Sequence, residues 1–183
     1  MQLFFDFYRS YEPPRSNQAL QSIVQLSSVR RSLFSSEKER TEFLQVLMDG
    51  IRGIMSTQVR KHFYSNTFSI SVFGIINLPD IPLVKQMGLA HDENYHEFCR
   101  LLGRLKASYQ LSELIKVSRF TEWLELAAQF TIESLGYWQY YMNSIHYLLA
   151  LWGRMVAALP YLRNDTDSQR ESTILRQKVL QVL

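Results

Sequence analysis

His91, His96 and Cys99 stand in the pattern H-x4-H-x2-C, with one helical turn between His96 and Cys99. They are the part of the chain closest to a metal-ligand set. Zinc takes four ligands, or three and a water, from thiolates, imidazoles and carboxylates at tight spacing. Asp92 and Glu97 are the carboxylates at hand, but no second thiolate or further imidazole stands nearby. The plainer reading is a buried Cys99 beside capping or surface histidines, and we prefer it. As a nucleophile Cys99 would be helped by the cations Arg100 and Arg104, yet a helix-interior cysteine is more often a small core residue. The chain has no G-x-S-x-G elbow, no P-loop and no G-x-G-x-x-G. Glu93, Glu97, Glu113, Glu122, Glu125 and Glu133 are scattered, not paired in an apolar stretch that would raise a carboxyl pKa for acid catalysis. The expectation is no enzyme, no metal and no cofactor, with a hydrolase built on His96 and Cys99 the weakest of the functional readings.

Two basic groups are candidates for contact with an acidic partner: the doublet Arg30-Arg31, and Arg100 with Arg104 on a helical face that also carries Lys106. A solvated face is the competing explanation. The aromatic group Tyr137, Trp138, Tyr140, Tyr141 and Tyr147 reads first as packing between helices and second as a binding surface. The 183 residues hold 20 cations and 17 anions, a net charge of +3, too little to predict a nucleic-acid partner. No run of about 20 apolar residues is present to predict a membrane partner. Asp6 and the lack of a basic start argue against a signal peptide. The single cysteine excludes an intrachain disulfide and fits a reducing compartment.

These side chains must be positioned by helices. Apolar residues make up 46%, Gly and Pro number only 7 and 5, and no strand–helix alternation occurs. Pro13-Pro14 breaks a first helix around Phe4 to Arg9, and Ser16 or Asn17 caps a second over Gln18 to Ser28. Ser36 and Glu39 form a capping box, followed by Phe43, Leu44, Val46, Leu47, Ile51 and Ile54 near the 3.6-residue period. Further helices are predicted from Asp92 to about Tyr109, from Phe120 to Leu135, from Asn143 to Leu159, and weakly from Ser168. In the first of these Tyr95, Phe98, Leu101, Leu102 and Leu105 face inward while Arg100, Arg104 and Lys106 face solvent. In the second Trp123, Leu124, Ala127, Phe130 and Thr131 face inward. The third carries Ile145, Leu148, Leu149, Trp152, Met155 and Val156 on its apolar side. The fold class is therefore all-α; antiparallel helix pairs of this length suit either a bundle or hairpins of the HEAT or armadillo kind, and we expect two to three such hairpins stacked as an α-α superhelix.

The segment Val59 to Gln86 disagrees with this pattern. Phe68, Ile70 and Val72 alternate with Ser69 and Ser71, and the stretch is β-branched, aromatic and nearly free of acids. A poorly packed loop or a stray short element is expected there, and local signals that contradict the global ones leave three readings: a functional lid, an interaction loop, or a segment foreign to the fold.

FFDFYRSYEPP (from Phe4), SVRRSLF (Ser28 to Phe34), ENYHEFCRLLGRLKASYQLSELIKV (Glu93 to Val117) and NSIHYLLALWGRM (Asn143 to Met155) closely resemble nuclear export receptors of the importin-β superfamily. The resemblance covers Phe4 to about Gln58 and Gly88 to about Leu162. It implies HEAT-type pairs from the interior of a far longer superhelix, one that moves between nucleus and cytoplasm. Its implied partners are Ran in its GTP form, protein cargo and the nucleoporins of the nuclear pore complex, and the chain would be a fragment of it. The runner-up is a self-contained helical adaptor that holds an acidic or helical partner through Arg30, Arg31, Arg100 and Arg104. The expected division is 1–58 and 87–162 as HEAT-like helices, 59–86 as an insert, and 163–183 as a divergent polar C-terminal helix. Because Val59-Arg60 can be encoded GTA-AGA and Gln86 CAG, the insert is expected to be a retained intron or a gene-model error. Removing its 28 residues takes away Arg60, Lys61, Lys85 and Asp80, leaving 155 residues with 17 cations and 16 anions. Genomic and transcript sequencing should find those boundary nucleotides and a spliced message lacking the 28 codons. Their absence would remove the basis for calling the segment intronic.

Overall fold

In the computed structural model the described residues are 1–10, 14–72, 92–136, 138–161 and 173–177, with the side chains of 57–72 and 140 left out of the description. The main helices are α1 (Gln2–Ser10), α2 (Arg15–Leu26), α3 (Glu37–Val72), α4 (Asp92–Ser108), α5 (Leu111–Leu114), α6 (Phe120–Gly136) and α7 (Met142–Ala158). Among the described residues no strand occurs, so the chain is all-α.

The packing follows from where each helix carries its apolar stripe. Leu44, Leu47, Met48, Ile51, Ile54 and Met55 recur at three- and four-residue steps along α3, and all are buried. Leu20, Ile23 and Val24 do the same on α2, and Tyr95, Phe98, Leu101, Leu102 and Leu105 on α4. α3 lies against α1 and α6, while α4 lies against α2 and α7. Two layers result, α1–α3–α6 and α2–α4–α7, and they are joined where α1 meets α2 and where α6 meets α7. Stacked hairpins sharing one continuous core are the arrangement of HEAT-type arrays.

Buried polar ties hold neighbouring helices in register. Asn94 Nδ2 of α4 donates to Ser16 Oγ of α2 at 3.1 Å. The Trp152 indole N–H of α7 donates to Thr131 Oγ1 of α6 at 2.9 Å, and Thr131 donates in turn to the Ala127 carbonyl at 2.8 Å. Each satisfies a group that would otherwise cost about 1–3 kcal/mol to bury.

Several local expectations need correction. Neither Ser16 nor Asn17 caps α2, which starts after Pro14 with both residues buried in its first turn. Proline at this point carries no N–H that the helix start would leave unpaired. The capping box of α3 forms, with the Glu39 N–H donating to Ser36 Oγ at 3.1 Å, but Glu39 Oε2 accepts from the N–H of Ser35, not of Ser36. α7 starts at Met142 after Tyr141, not at an Asn143 cap. Its Leu149 and Val156 are 46% and 39% exposed, because they lie seven residues apart on a side that neither α4 nor α6 covers. Arg100, Arg104 and Lys106 are half-buried instead of solvated. The backbone from Val59 to Val72 continues α3 as helix, although its side-chain pattern reads as a strand. Extending an existing helix needs no new nucleus, so local β preference loses there. Residues 73–86 of that segment lie outside the described residues, as do 162–172 and 178–183. Of the expected C-terminal helix, 173–177 is helical and Leu175 is buried in the core.

Helix α1 is seated by a close approach. A Cβ on Gly50 of α3 would stand 2.2 Å from Phe5 Cε2, and Phe5 is wholly buried. Gly50→Ala should therefore lower stability by about 1–3 kcal/mol, the usual cost of overpacking. Phe5→Leu made alongside should restore part of it. Urea denaturation of the single and double variants measures both, and additive losses would show that the two residues do not compete for one space.

Candidate functional site

A buried charge pair lies where α3 meets the junction of α4 and α5. Arg40 is on the apolar stripe of α3, one turn before Leu44, and is only 6% exposed. Its Nε donates to Glu113 Oε1 at 2.8 Å, and Nη2 reaches Glu113 Oε2 and the Ser108 carbonyl, both at 3.4 Å. The guanidinium carbon lies 4.6 Å from the Tyr109 ring centre and 5.8 Å from that of Phe34. Glu113 also accepts from the Gln110 N–H at 2.7 Å, closing the capping box that starts α5. Burial on its own would raise the Glu113 carboxyl, but the Arg40 hydrogen bond, the Gln110 N–H and the Arg40 charge outweigh it and hold the carboxyl below its ordinary value. Arg40 is pushed up, first by its bond to Glu113. Nothing in this cluster is open enough to turn over a substrate; it fixes three elements to one another.

The four arginines singled out from the sequence meet different fates. Arg31 donates through Nε to Glu37 at 2.8 Å, and its Nη2 also contacts that carboxylate. Arg100 donates to both oxygens of Glu97 at 2.9 and 3.1 Å, one turn back on α4. Arg104 Nη1 donates to Ser28 Oγ at 3.3 Å, which brings α4 onto the turn after α2 that leads to Arg30. Arg30 is exposed and starts the 3-10 turn Arg31–Leu33. Arg104 and the doublet therefore share one edge of the fold, while Arg31 and Arg100 are already engaged with carboxylates.

His96 and Cys99 do not work together. The Cys99 side chain is wholly buried, and burial pushes its thiol far above the ordinary range, so no thiolate is on offer. His96 Nδ1 pairs with Ser144 Oγ of α7 at 3.0 Å, and its ring meets Tyr147 edge-on. His91 lies outside the described residues. Of the aromatic group, Tyr141 is buried, Trp138 is 58% exposed and Tyr147 is half-buried, so packing and exposure divide it.

His96 instead borders a groove of about 570 Å³ between α2 and the starts of α4 and α7. Its walls carry Asn17, Gln21, Asp92, Glu93, Glu97 and Tyr141 among others. The Tyr141 hydroxyl is pushed up to about 12, mainly by burial and further by the charge of Asp92. Sequence reasoning missed both the groove and the Arg40 cluster. Arg40 had a visible signal, a cation in register with Leu44, Leu47 and Ile51; Gln110-x-x-Glu113 had another, the spacing of a capping box. The groove had none, because α2, α4 and α7 meet there from distant parts of the chain.

Over 163 residues, 89% of its length, the chain is 41% identical to a protein of Xenopus laevis. That protein is Exportin-7-A. Ran-binding protein 16 of Drosophila melanogaster matches at 41% over 164 residues, and Ran-binding protein 17 of Homo sapiens at 40% over the same length. The chain spans 12% of the length of exportin-7 and of these two relatives. No family model matches the chain and no solved structure does. The resemblance carried by the four segments above thus extends along most of the chain.

Arg40→Ala should cost about 3 kcal/mol in urea denaturation, the low end for removing one partner of a buried pair, since Glu113 keeps 25% of its side chain in solvent. The folded carboxyl of Glu113 is depressed, so its contribution is complete above the unfolded carboxylate value of about 4.3 and fades as pH falls through the lower folded one. The parent should lose stability in that acid window, and the Arg40→Ala variant should lose less. Parallel stability–pH curves for the two proteins would contradict the assignment.

Proposed function

We propose that the chain is part of a nuclear export receptor, a helical-repeat carrier that holds protein cargo together with Ran in its GTP form. The observation that supports this most is the identity of about 40% to exportin-7 and to two Ran-binding relatives over nine-tenths of the chain, carried on a two-layer stack of hairpins. On this reading the receptor itself makes or breaks no bond; it binds and releases. Ran-GTP and cargo each bind better when the other is present, a coupling of typically about 1–3 kcal/mol, and GTP hydrolysis in the cytoplasm releases both. The receptor would pass between nucleus and cytoplasm through contacts with nucleoporins, with no cofactor and no catalytic residue. Residues 1–58 and 87–162 would form its repeat surface, with 59–86 as an interruption.

Arg30, Arg31, Arg100 and Arg104 would contribute contact with an acidic partner, and Arg30 and Arg104 would carry most of it, since Arg31 and Arg100 already face Glu37 and Glu97. The Arg104–Ser28 bond, which gathers the basic groups on one edge, also favours the second reading, a helical adaptor for an acidic protein.

The test is a chimera of Exportin-7-A in which this chain replaces the matching stretch. It should capture GTP-loaded Ran in preference to GDP-loaded Ran. A folded chimera without that preference would overturn the export reading, and nucleotide-independent capture of an acidic protein would favour the adaptor. Arg30→Glu with Arg104→Glu should weaken the acidic contact about tenfold.

A further inference from the structure

We infer that Ser32 is a phosphorylation site for a protein kinase that selects arginine ahead of its target, and that the phosphate closes the Arg30–Arg104 edge to an acidic partner. The second half rests on the acidic-contact reading given above; the first does not. In the whole sequence only Ser32 directly follows two arginines, and Leu33 comes next. A kinase cleft lined with carboxylates complements cations one and two residues before the target, and an apolar pocket beyond it takes the following leucine.

The fold presents that motif in an accessible form. Arg30, Ser32 and Leu33 are exposed, and the 3-10 turn Arg31–Leu33 buries no residue. Arg30 before the turn and Phe34 after it are already extended. Two backbone bonds hold the turn, from the Leu33 N–H to the Arg30 carbonyl at 3.0 Å and from the Phe34 N–H to the Arg31 carbonyl at 3.1 Å. Opening it to fit a kinase cleft therefore gives up little. The Ser32 hydroxyl has no hydrogen-bond partner among the described residues. Ser36 is exposed as well, but its Oγ caps α3 by accepting from the Glu39 N–H, and Glu37 and Glu39 beside it suit no arginine-selecting cleft.

In the transfer Ser32 Oγ bonds to the γ-phosphorus of magnesium-bound ATP. The bond from that phosphorus to the bridging oxygen of ADP breaks, and the hydroxyl proton passes to the kinase's catalytic aspartate. The phosphoserine carries about −1.5 to −2 in charge at neutral pH. Arg30, Arg31 and Arg104 set against Glu37 leave two positive charges on this edge, which the phosphate cancels. The Arg31–Glu37 pair has side chains 65% and 66% exposed, so it is weak, and Arg31 can turn to the phosphate instead.

The experiment treats the intact chain with the catalytic subunit of cyclic-AMP-dependent protein kinase and magnesium ATP, and maps the phosphate by tandem mass spectrometry. Ser32 should carry more of it than any other residue, and Ser32→Ala should remove most of the incorporation. Arg30 is exposed, so Arg30→Gln should fold normally by circular dichroism and lower kcat/KM for the transfer about tenfold or more. A folded chain that takes up no phosphate, takes it chiefly elsewhere, or is modified as fast with Arg30→Gln would overturn the site. In a second arm, fluorescence polarisation compares a labelled Gly-Glu repeat peptide on the parent and on the Ser32-phosphorylated chain. Phosphate should weaken its binding about tenfold or more. Equal binding to both forms would overturn the closing of the edge. A parent that binds no such peptide would defeat the acidic-contact reading, while the phosphate map still decides the site.

Discussion

α3 can reach its neighbours only if a cation is taken out of water. Arg40 sits in line with Leu44, Leu47 and Ile51, so closing that apolar stripe against the rest of the core strips the guanidinium of most of its hydration. An unpaired charge there would cost several kcal/mol, enough to unseat a helix in a fold whose whole margin is typically about 5–15 kcal/mol. Glu113 answers it with two oxygens, Ser108 with a carbonyl, and Tyr109 with its ring face. Those three residues belong to the end of α4, the turn beyond it and α5. The pair therefore links a helix of one layer to the point where the other layer's chain turns back toward α6.

The same carboxylate starts α5 through the Gln110 N–H. Four residues make too short a helix to stand by themselves, since nucleation fixes several dihedral angles for one hydrogen bond. α5 exists because its capping group is held by a residue 73 positions earlier. Beyond α5 the chain reaches α6, whose Glu122 accepts from Arg52 of α3 at 3.1 Å. Ser118, between them, donates its N–H to Gln45 of α3 at 3.0 Å. α3 is thus the rail along which the α4–α6 connection is laid, and polar groups on its flank set the register that its apolar stripe alone leaves loose.

How much of this the sequence disclosed depends on the range of each signal. Tyr95, Phe98, Leu101, Leu102 and Leu105 are periodic within one helix, and all five are buried as their spacing requires. Trp123, Leu124, Ala127, Phe130 and Thr131 behave likewise. Positions whose fate depends on a neighbour were misjudged. Leu149 and Val156 look like core by type but lie on a side of α7 that no described helix covers. Arg104 looks like a solvated cation, yet the turn at Ser28 comes up to meet it. Ser16 and Asn17 look like caps, yet they face α4 and the groove, where Ser16 accepts from Asn94. Local periodicity reports which face of a helix is apolar; it is silent on which neighbour arrives there.

That division bears on what kind of work the fold can do. Its one thiol is buried and held protonated, its Arg40–Glu113 ion pair is committed to joining helices, and its histidine of interest is bonded across two of them. Among the described residues two charged places lie along helix edges: the basic Arg30–Arg104 edge, and the groove between α2, α4 and α7 that Asp92, Glu93 and Glu97 line. Both include α4 and the α2 region, so one stacked helix presents opposite charges at two places along the layer α2–α4–α7. A carrier that must hold two partners at once needs separate surfaces on a shared rigid element, because coupling between them can pass only through parts that both partners contact or bias. α4, packed between α2 and α7 and fixed at its far end by Arg40 and Glu113, is the element in this chain that meets that condition.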